Sequence, residues 1–524
     1  MVKFLDKNSG FNQFFANKNT STKSSKTGSF LWWLVIFLLT WWLFSTWFMP
    51  KENTTAVAEP IVVESIENVS VYTHNDDKLS IAVQGLRISS LEMKDYMQDK
   101  KQGGNVTLLN NDGDFIEVGL IANGTVAPTS TTQWKHESAK GSMVFSFKNQ
   151  DGVGFQRSII VNDYLITVRD EIKNNSGKDI SFAPYASLKR SGGGEKSIAV
   201  NTGVVAFVNS DTEYNDWGDL EKKSYAYQTT NGFVGFVDQY WETIASVGAP
   251  DQTIRVKKAG QYYQVDTHAV PVQISAGNTT AIETQIFAGP RDPKILADVS
   301  SAITGIDQTM DYGWFWFLSR PMLWALHSLN DIVMNYGVAI ILLTIFIRIL
   351  MWPMTRKSFV SMAAMQKMQP EMTRIQKLYA NDKARQQMEL MKLYQTHKTS
   401  PMSGCLPMLL QIPIFFALYK ALLISVPMRQ ANFLWISDLS VMDPWFILPI
   451  IMGATMWWQQ SLQTAKPAAD DKNNPMAQTQ KIMKWMPILF TAMFAFMPAG
   501  LVLYWTISNV FGIGQMYVIK KTAK

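Results

Sequence analysis

The chain has 524 residues, more than one domain needs, and 47% of them are hydrophobic against 17% charged. With 18 Trp and 28 Met, that balance describes a soluble part joined to a membrane part. A single cysteine, Cys405, excludes an intramolecular disulfide. Five histidines (His74, His136, His268, His327 and His397) stand at no metal-ligand spacing, so neither a metal nor a cofactor is expected.

The net charge of +6 is modest, and its placement along the chain matters more than its size. Residues 1–29 are polar, with Lys3, Lys7, Lys18, Lys23 and Lys26 against one acid, Asp6. Phe30–Met49 is an apolar run of about 20 residues, long enough to cross a bilayer, and its basic flank keeps the N-terminus in the cytoplasm. A cleaved signal peptide is the competing reading, since Ala56-Val57-Ala58 resembles a cleavage site. The length of the run and Trp32, Trp33, Trp41, Trp42 and Trp47 favour an uncleaved anchor.

A polar linker, 50–60, ends at Pro60. Residues 61–300 then change character, to alternating β-branched and aromatic segments such as SMVFSFKN and RSIIVNDYLITVRDEI. Turn signals punctuate them at Asn111-Asp112-Gly113, Asn123-Gly124, Asp151-Gly152, Asn175-Ser176-Gly177 and Asn231-Gly232. This spacing predicts an all-β sandwich. No nucleophile, acid pair or metal cluster stands out in it. Ser191–Ser197 superficially resembles a phosphate loop, but Glu195 breaks the Gly-Lys-Ser ending and the context is strand–turn–strand.

Residues 301–333 read as an aromatic amphipathic helix lying along the membrane interface, with Pro321 beginning or interrupting it. Tyr336–Arg356 is the next apolar run and holds one full charge, Arg348, with Thr344 one turn earlier on the same face. An arginine deep in hydrocarbon costs about 2.5–3.5 kcal/mol on insertion scales. Either it snorkels to the cytosolic surface beside Arg356 and Lys357, or it lines a wet, positively charged cavity that receives something negative.

The basic segment 355–403 belongs in the cytoplasm and predicts a helical hairpin. Met362, Met365, Met368 and Met372 recur at steps of three and four, and Met388 and Met391 repeat the pattern after Asn381-Asp382. Such a stripe packs two helices together or offers an adaptable apolar surface to varied peptides. Four more apolar runs follow at 408–426, 446–462, 485–497 and 501–519. The third of these is short, about 13 residues or roughly 20 Å of helix, so it begins earlier or the bilayer thins around it. The loop 463–484 and the tail Lys520, Lys521 and Lys524 are basic and cytoplasmic. The outcome is six spans with both termini inside. Spans two to six contain no Asp or Glu, and Lys420 lies where it can snorkel outward.

Four stretches in the C-terminal half, IFIRILMWPMTRKSF, SPMSGCLPMLLQIPIFFALYKAL, FLWISDLSVMDPWFILPIIMGATM and MPAGLVLYWTISN, together resemble the YidC family of membrane-protein insertases. In the β region, ITVRDEIKNNSGKDISFAPYASLKR is similar to the periplasmic domain of Gram-negative members, whose fold is a mutarotase-like β-sandwich. The resemblance implies a bacterial inner-membrane protein with its large domain in the periplasm. It implies a five-helix core at 334–519 around a hydrophilic groove, open to cytosol and lipid and closed to the periplasm. Its buried arginine falls on Arg348, and its groove-lining polar positions on Thr344, Gln411 and Tyr504. Trp505 stands where many members have a second tyrosine, and Lys420 replaces a usually uncharged position.

The implied activity makes and breaks no bond. A monomer receives nascent membrane proteins, contacts the Sec translocon, the ribosome (through Lys520, Lys521 and Lys524) and the lipid bilayer, and takes no small-molecule substrate. A transporter or channel is the first rival, but it would show internal repeats or charged pairs along a path. A sugar-acting enzyme rests on the β fold alone, which does not license it.

The first span is expected to remain attached. N-terminal sequencing of the membrane-purified protein should find Met1 or Val2, whereas a mature N-terminus at Glu59 would overturn the anchor.

Overall fold

The computed structural model describes residues 69–522 apart from 100–102, 110–112, 140, 193–199, 398–405 and 464–474. The expected anchor Phe30–Met49, its flanks 1–29 and 50–60, most of the Ser191–Ser197 loop, and Lys524 lie outside the described residues.

Period-two burial builds the N-terminal part. In Gly154–Asn162, Phe155, Arg157, Ile159 and Val161 point inward while Gln156, Ile160 and Asn162 face solvent. The described strands form two antiparallel sheets. The first, of ten strands, runs in space Val71–Asn75, Leu79–Gln84, Arg87–Asp99, Phe115–Asn123, Ile180–Ser191, Tyr262–Ala269, Gln252–Ala259 and Tyr225–Thr229, with two further strands paired off this path. The second, of nine, runs Asp211–Asn215, Gly203–Val208, Phe233–Val237, Trp241–Val247, Thr279–Pro290, Leu165–Lys173, Gly154–Asn162, Ser142–Lys148 and Lys135–Ala139. Turn chemistry falls where expected. Gly152 (φ 88°) and Gly177 (φ 76°) sit in left-handed backbone between strands, a conformation that favours glycine.

Buried ion pairs lie in this part. Arg157 holds Asp170 with two bonds of 2.7 Å, a fork geometry that satisfies both partners. Glu242 is 1% exposed with Arg291 Nε 3.6 Å away. Burial outweighs that attraction and pushes its carboxyl up to about 7.

The α-helices among the described residues are α1 (Trp217–Leu220) and α2 (Pro293–Val299) in the β part, then α3 (Trp316–Val333), α4 (Tyr336–Leu350), α5 (Trp352–Leu378), α6 (Lys383–Thr396), α7 (Leu406–Ile424), α8 (Ile447–Gln463), α9 (Pro475–Phe494) and α10 (Ala499–Thr522). The short apolar run at 485–497 belongs to α9, which begins ten residues earlier. Among the described residues, Ala499–Lys521 is long and apolar enough to cross a membrane alone. Tyr336–Leu350 with Trp352–Met365 passes as a pair bent by 63°, and Leu409–Ile424 is a shorter apolar helix.

The two halves share packing through α3 and α7. Leu323 of α3, with Ala421 and Ile424 of α7, joins the β core, while Leu326 of α3, with Leu418 and Leu422 of α7, joins the helical core. Trp314, Trp316, Phe317 and Trp324 stay exposed at the start of this joint. Lys420 does not reach outward to water as expected. Its ammonium lies 2.5 Å from Asp311, both side chains being 12% exposed. Asp311 also accepts the backbone N–H of Asn201 at 2.9 Å and of Gly313 at 3.1 Å. One carboxylate thus ties a β-domain loop and the α3 approach to the outer end of α7. Gln239 adds a 3.0 Å bond to the Leu423 carbonyl. Arg429 donates to the Gln98 carbonyl at 3.1 Å and lies 5.2 Å from the Trp241 ring.

This geometry ranks two substitutions. Asp311→Ala strips Lys420 of its carboxylate and leaves the exposed Asn201 and Gly313 N–H groups to water, and should cost about 3–5 kcal/mol, nearly all of it from the largely buried ammonium. Lys420→Met leaves both N–H bonds to Asp311 and should cost less. Thermal unfolding of the full chain in detergent measures both, and equal losses would show that Asp311 is no hub.

Candidate functional site

The apolar run bearing Arg348 does not continue as one helix to Arg356. Asn335 caps α4 by accepting the Val338 N–H at 3.1 Å, and the helix stops at Leu350. The break falls just before Pro353, which has no N–H to donate to a carbonyl one turn back. The same proline suits the first turn of α5. At 15 residues α4 spans about 22 Å, less than the roughly 30 Å of hydrocarbon. Arg348 therefore lies in its last turn, where the negative end of the helix dipole favours a cation.

Arg348 is partly buried, and both Nε, at 2.7 Å, and a terminal nitrogen donate to Ser508 Oγ on α10. Ser508 is 2% exposed. One turn earlier on α10, Tyr504 is 1% exposed and its hydroxyl accepts from Gln411 Nε2 of α7. Two turns beyond Ser508, Gln515 Nε2 donates to the Arg348 backbone carbonyl at 3.3 Å. Gln411, Tyr504, Ser508 and Arg348 thus form a polar line across α7, α10 and α4. Among the described residues Arg348 makes no ion pair, and α4, α7, α8, α9 and α10 contain no Asp or Glu.

Thr344 and Trp505 stand apart from this line. Thr344 is fully buried, and its hydroxyl donates to the Ile340 carbonyl of its own helix at 2.6 Å. Trp505 packs edge-on to Phe415, 5.2 Å between centroids, and against Phe494 at 5.1 Å and Phe490 at 6.0 Å. It belongs to an aromatic wall between α7, α9 and α10.

The hairpin splits the methionine stripe. Met368 and Met372 are buried at 3% and 2% exposure, and Tyr394 of α6 directs its hydroxyl at the Met372 sulfur, 4.0 Å away. Met362 packs on Phe359, Ile513, Met516 and Ile519, tying α5 to the inner end of α10. Met365 is partly buried. Met388 and Met391 on α6 are 55% and 60% exposed. Pro370 lies inside α5 without ending it. At the chain's end, Lys520 Nζ donates to the Leu462 carbonyl in the last turn of α8 at 3.2 Å, and Lys521 is exposed.

Two family models match in tandem. The YidC periplasmic domain covers residues 70–325 and the 60Kd inner membrane protein covers 328–524. A membrane protein insertase YidC from Magnetococcus marinus is 34% identical over 491 residues, covering 89% of this chain and 86% of that protein. The chain belongs to the YidC family of membrane protein insertases. A YidC from Rickettsia prowazekii is 33% identical, covering 90% of this chain and 91% of that one. A solved structure of an active YidC insertase with its first transmembrane domain resolved is 17% identical, covers 86% of this chain and 94% of that one, and has a TM-score of 0.38. A galactose mutarotase-like protein from Lactobacillus casei is 10% identical, covers 42% of this chain and all of that one, and has a TM-score of 0.30.

Within this YidC chain, sequence reasoning passed over Ser508 and Gln515. The available signal was their spacing: Tyr504, Ser508 and Gln515 fall at steps of four and seven, one face of a helix whose neighbours are mostly apolar. Asn509 was also passed over, and it bonds Thr455 across the α8–α10 contact at 3.3 Å.

Proposed function

We propose that this insertase works through a hydrophilic groove whose central group is the Arg348 cation. The observation that carries the proposal is that the guanidinium is held by a neutral hydroxyl, not by an acid, so its charge remains available. A short translocated segment, often acidic, enters from the cytosolic side and pairs transiently with Arg348. Gln411 and Tyr504, with water, lower the cost of moving polar backbone through half the bilayer. The apolar helix of the substrate then leaves into lipid along the outer faces of α7 and α9, its hydrophobicity driving release and the membrane potential assisting negative charges. Thr344, whose hydroxyl is taken by its own helix, and Trp505, packed among aromatic rings, shape the wall.

In this account the chain crosses the inner membrane six times, counting the anchor Phe30–Met49, with both termini in the cytoplasm and the β-sandwich in the periplasm. The exposed Met388 and Met391 meet incoming apolar segments, while the buried Met368 and Met372 stay inside the hairpin and Met362 ties it to α10. Lys520, Lys521 and Lys524 contact the ribosome, and the Sec translocon shares substrates with a monomeric insertase. No covalent chemistry is involved.

The test is protease accessibility of a tagged substrate tail in cells carrying each variant, with variant accumulation checked in parallel. Arg348→Lys should keep most insertion. Arg348→Ala should impair acidic tails most, by about tenfold, the worth of one charge-assisted interaction. If alanine is harmless for every substrate, the arginine merely snorkels. If lysine and alanine fail alike while stable, a specific hydrogen bond and not the charge is required.

A further inference from the structure

Arg348 is gripped at both ends by one helix. Ser508 holds the guanidinium through two nitrogens, and Gln515 holds the backbone carbonyl of the same residue at 3.3 Å. The two grips are seven residues apart on α10, about two turns or roughly 10 Å. An arginine at the end of a helix, next to a 63° bend, would otherwise swing on a long flexible side chain and a frayed last turn. Gln515 is 2% exposed, and its Oε1 has no hydrogen-bond donor among the described residues. A residue serving only to fill space would be apolar there, because an unmatched buried oxygen is unfavourable. The gripping helix is itself fixed. Asn509 bonds Thr455, and a Cβ at Gly512 would come within 2.8 Å of Gln459 Nε2, so α10 and α8 lie close together.

We propose that Ser508 and Gln515 are positioning residues that hold the Arg348 charge at one height in the groove, so that the insertase discriminates substrates by where their translocated segment carries an acid. This rests on the groove function proposed above. A free lysine or an untethered arginine would follow an acid over several positions, whereas a seated guanidinium meets it best at one depth. Ser508 and Gln515 act through Arg348 and need not touch the substrate.

The experiment walks a single Asp along an otherwise neutral translocated tail of a one-span substrate and scores tail protection in cells carrying the full-length protein. The native chain should show one optimum position. Ser508→Ala and Gln515→Leu should flatten it, lowering the contrast between best and worst positions by up to about tenfold, the worth of a lost charge-assisted bond. Ser508→Thr, which keeps the hydroxyl, should restore it. Arg348→Lys makes the same test without altering α10, and should insert acidic tails with little preference for position. In an Arg348→Ala background, Ser508→Ala should add no further loss, since both changes remove one interaction. A normally accumulating Ser508→Ala protein that keeps the full optimum would overturn the proposal, as would additive losses in the double variant. If the native chain ignores acids altogether and Arg348→Ala is harmless, the groove function itself fails, a result distinct from a preserved optimum.

Discussion

The arrangement of the helical half depends on accommodating the Arg348 cation among α4, α7, α8, α9 and α10, five helices that carry no acid. A buried acid would neutralise it in a fixed ion pair, and an isolated arginine in hydrocarbon would be expensive. This chain adopts a third solution. Pro353 breaks the apolar run, so that the cation falls in the last turn of a short helix at its negative end. Ser508 then supplies a neutral acceptor, and Gln515 secures the carbonyl beside the bend. Charge is thereby located without being cancelled, and the proposed groove rests on that condition.

The helix α7 links this site to the domain outside it. Its N-terminal half contributes Gln411 to the polar line, and its C-terminal end is locked by Lys420 to Asp311 and packed through Ala421 and Ile424 into the β core. The β-sandwich is therefore continuous in packing with an element of the candidate site. Because Lys420 has its acid on the segment before α3 and not on another of α4 and α7–α10, the ion pair fixes the joint while leaving those helices free of carboxylates.

Much of this was legible in the sequence, for reasons that differ by region. Alternation and Gly-containing turns described the sandwich because each strand has one buried face, as Gly154–Asn162 illustrates. Apolar length located α7, α8 and α10, and the family motifs pointed to Arg348, Gln411 and Tyr504, which the fold brings near one another. What was not legible depends on contacts between distant residues. Ser508 lies 160 residues from Arg348 and Asp311 lies 109 from Lys420, and nothing local marks either pair. The break at Met351 was readable in principle from Trp352-Pro353, but the apolar count ran over it. Thr344 illustrates the reverse case: it shares a face with Arg348, yet its hydroxyl is taken by its own helix.

The central claim is that the polar line from Gln411 to Arg348 is wet and reached from the cytosol. Thiol labelling tests it most directly. With Cys405 replaced by alanine, Gln411→Cys places the only thiol beside Tyr504, and inside-out membrane vesicles are exposed to a membrane-impermeant maleimide. The account predicts labelling from the cytosolic face, slowed when an insertion intermediate is arrested on the protein. A thiol that stays unlabelled from either face, yet reacts fully once the protein is denatured, would mean that the line is dry and that Arg348 serves packing alone.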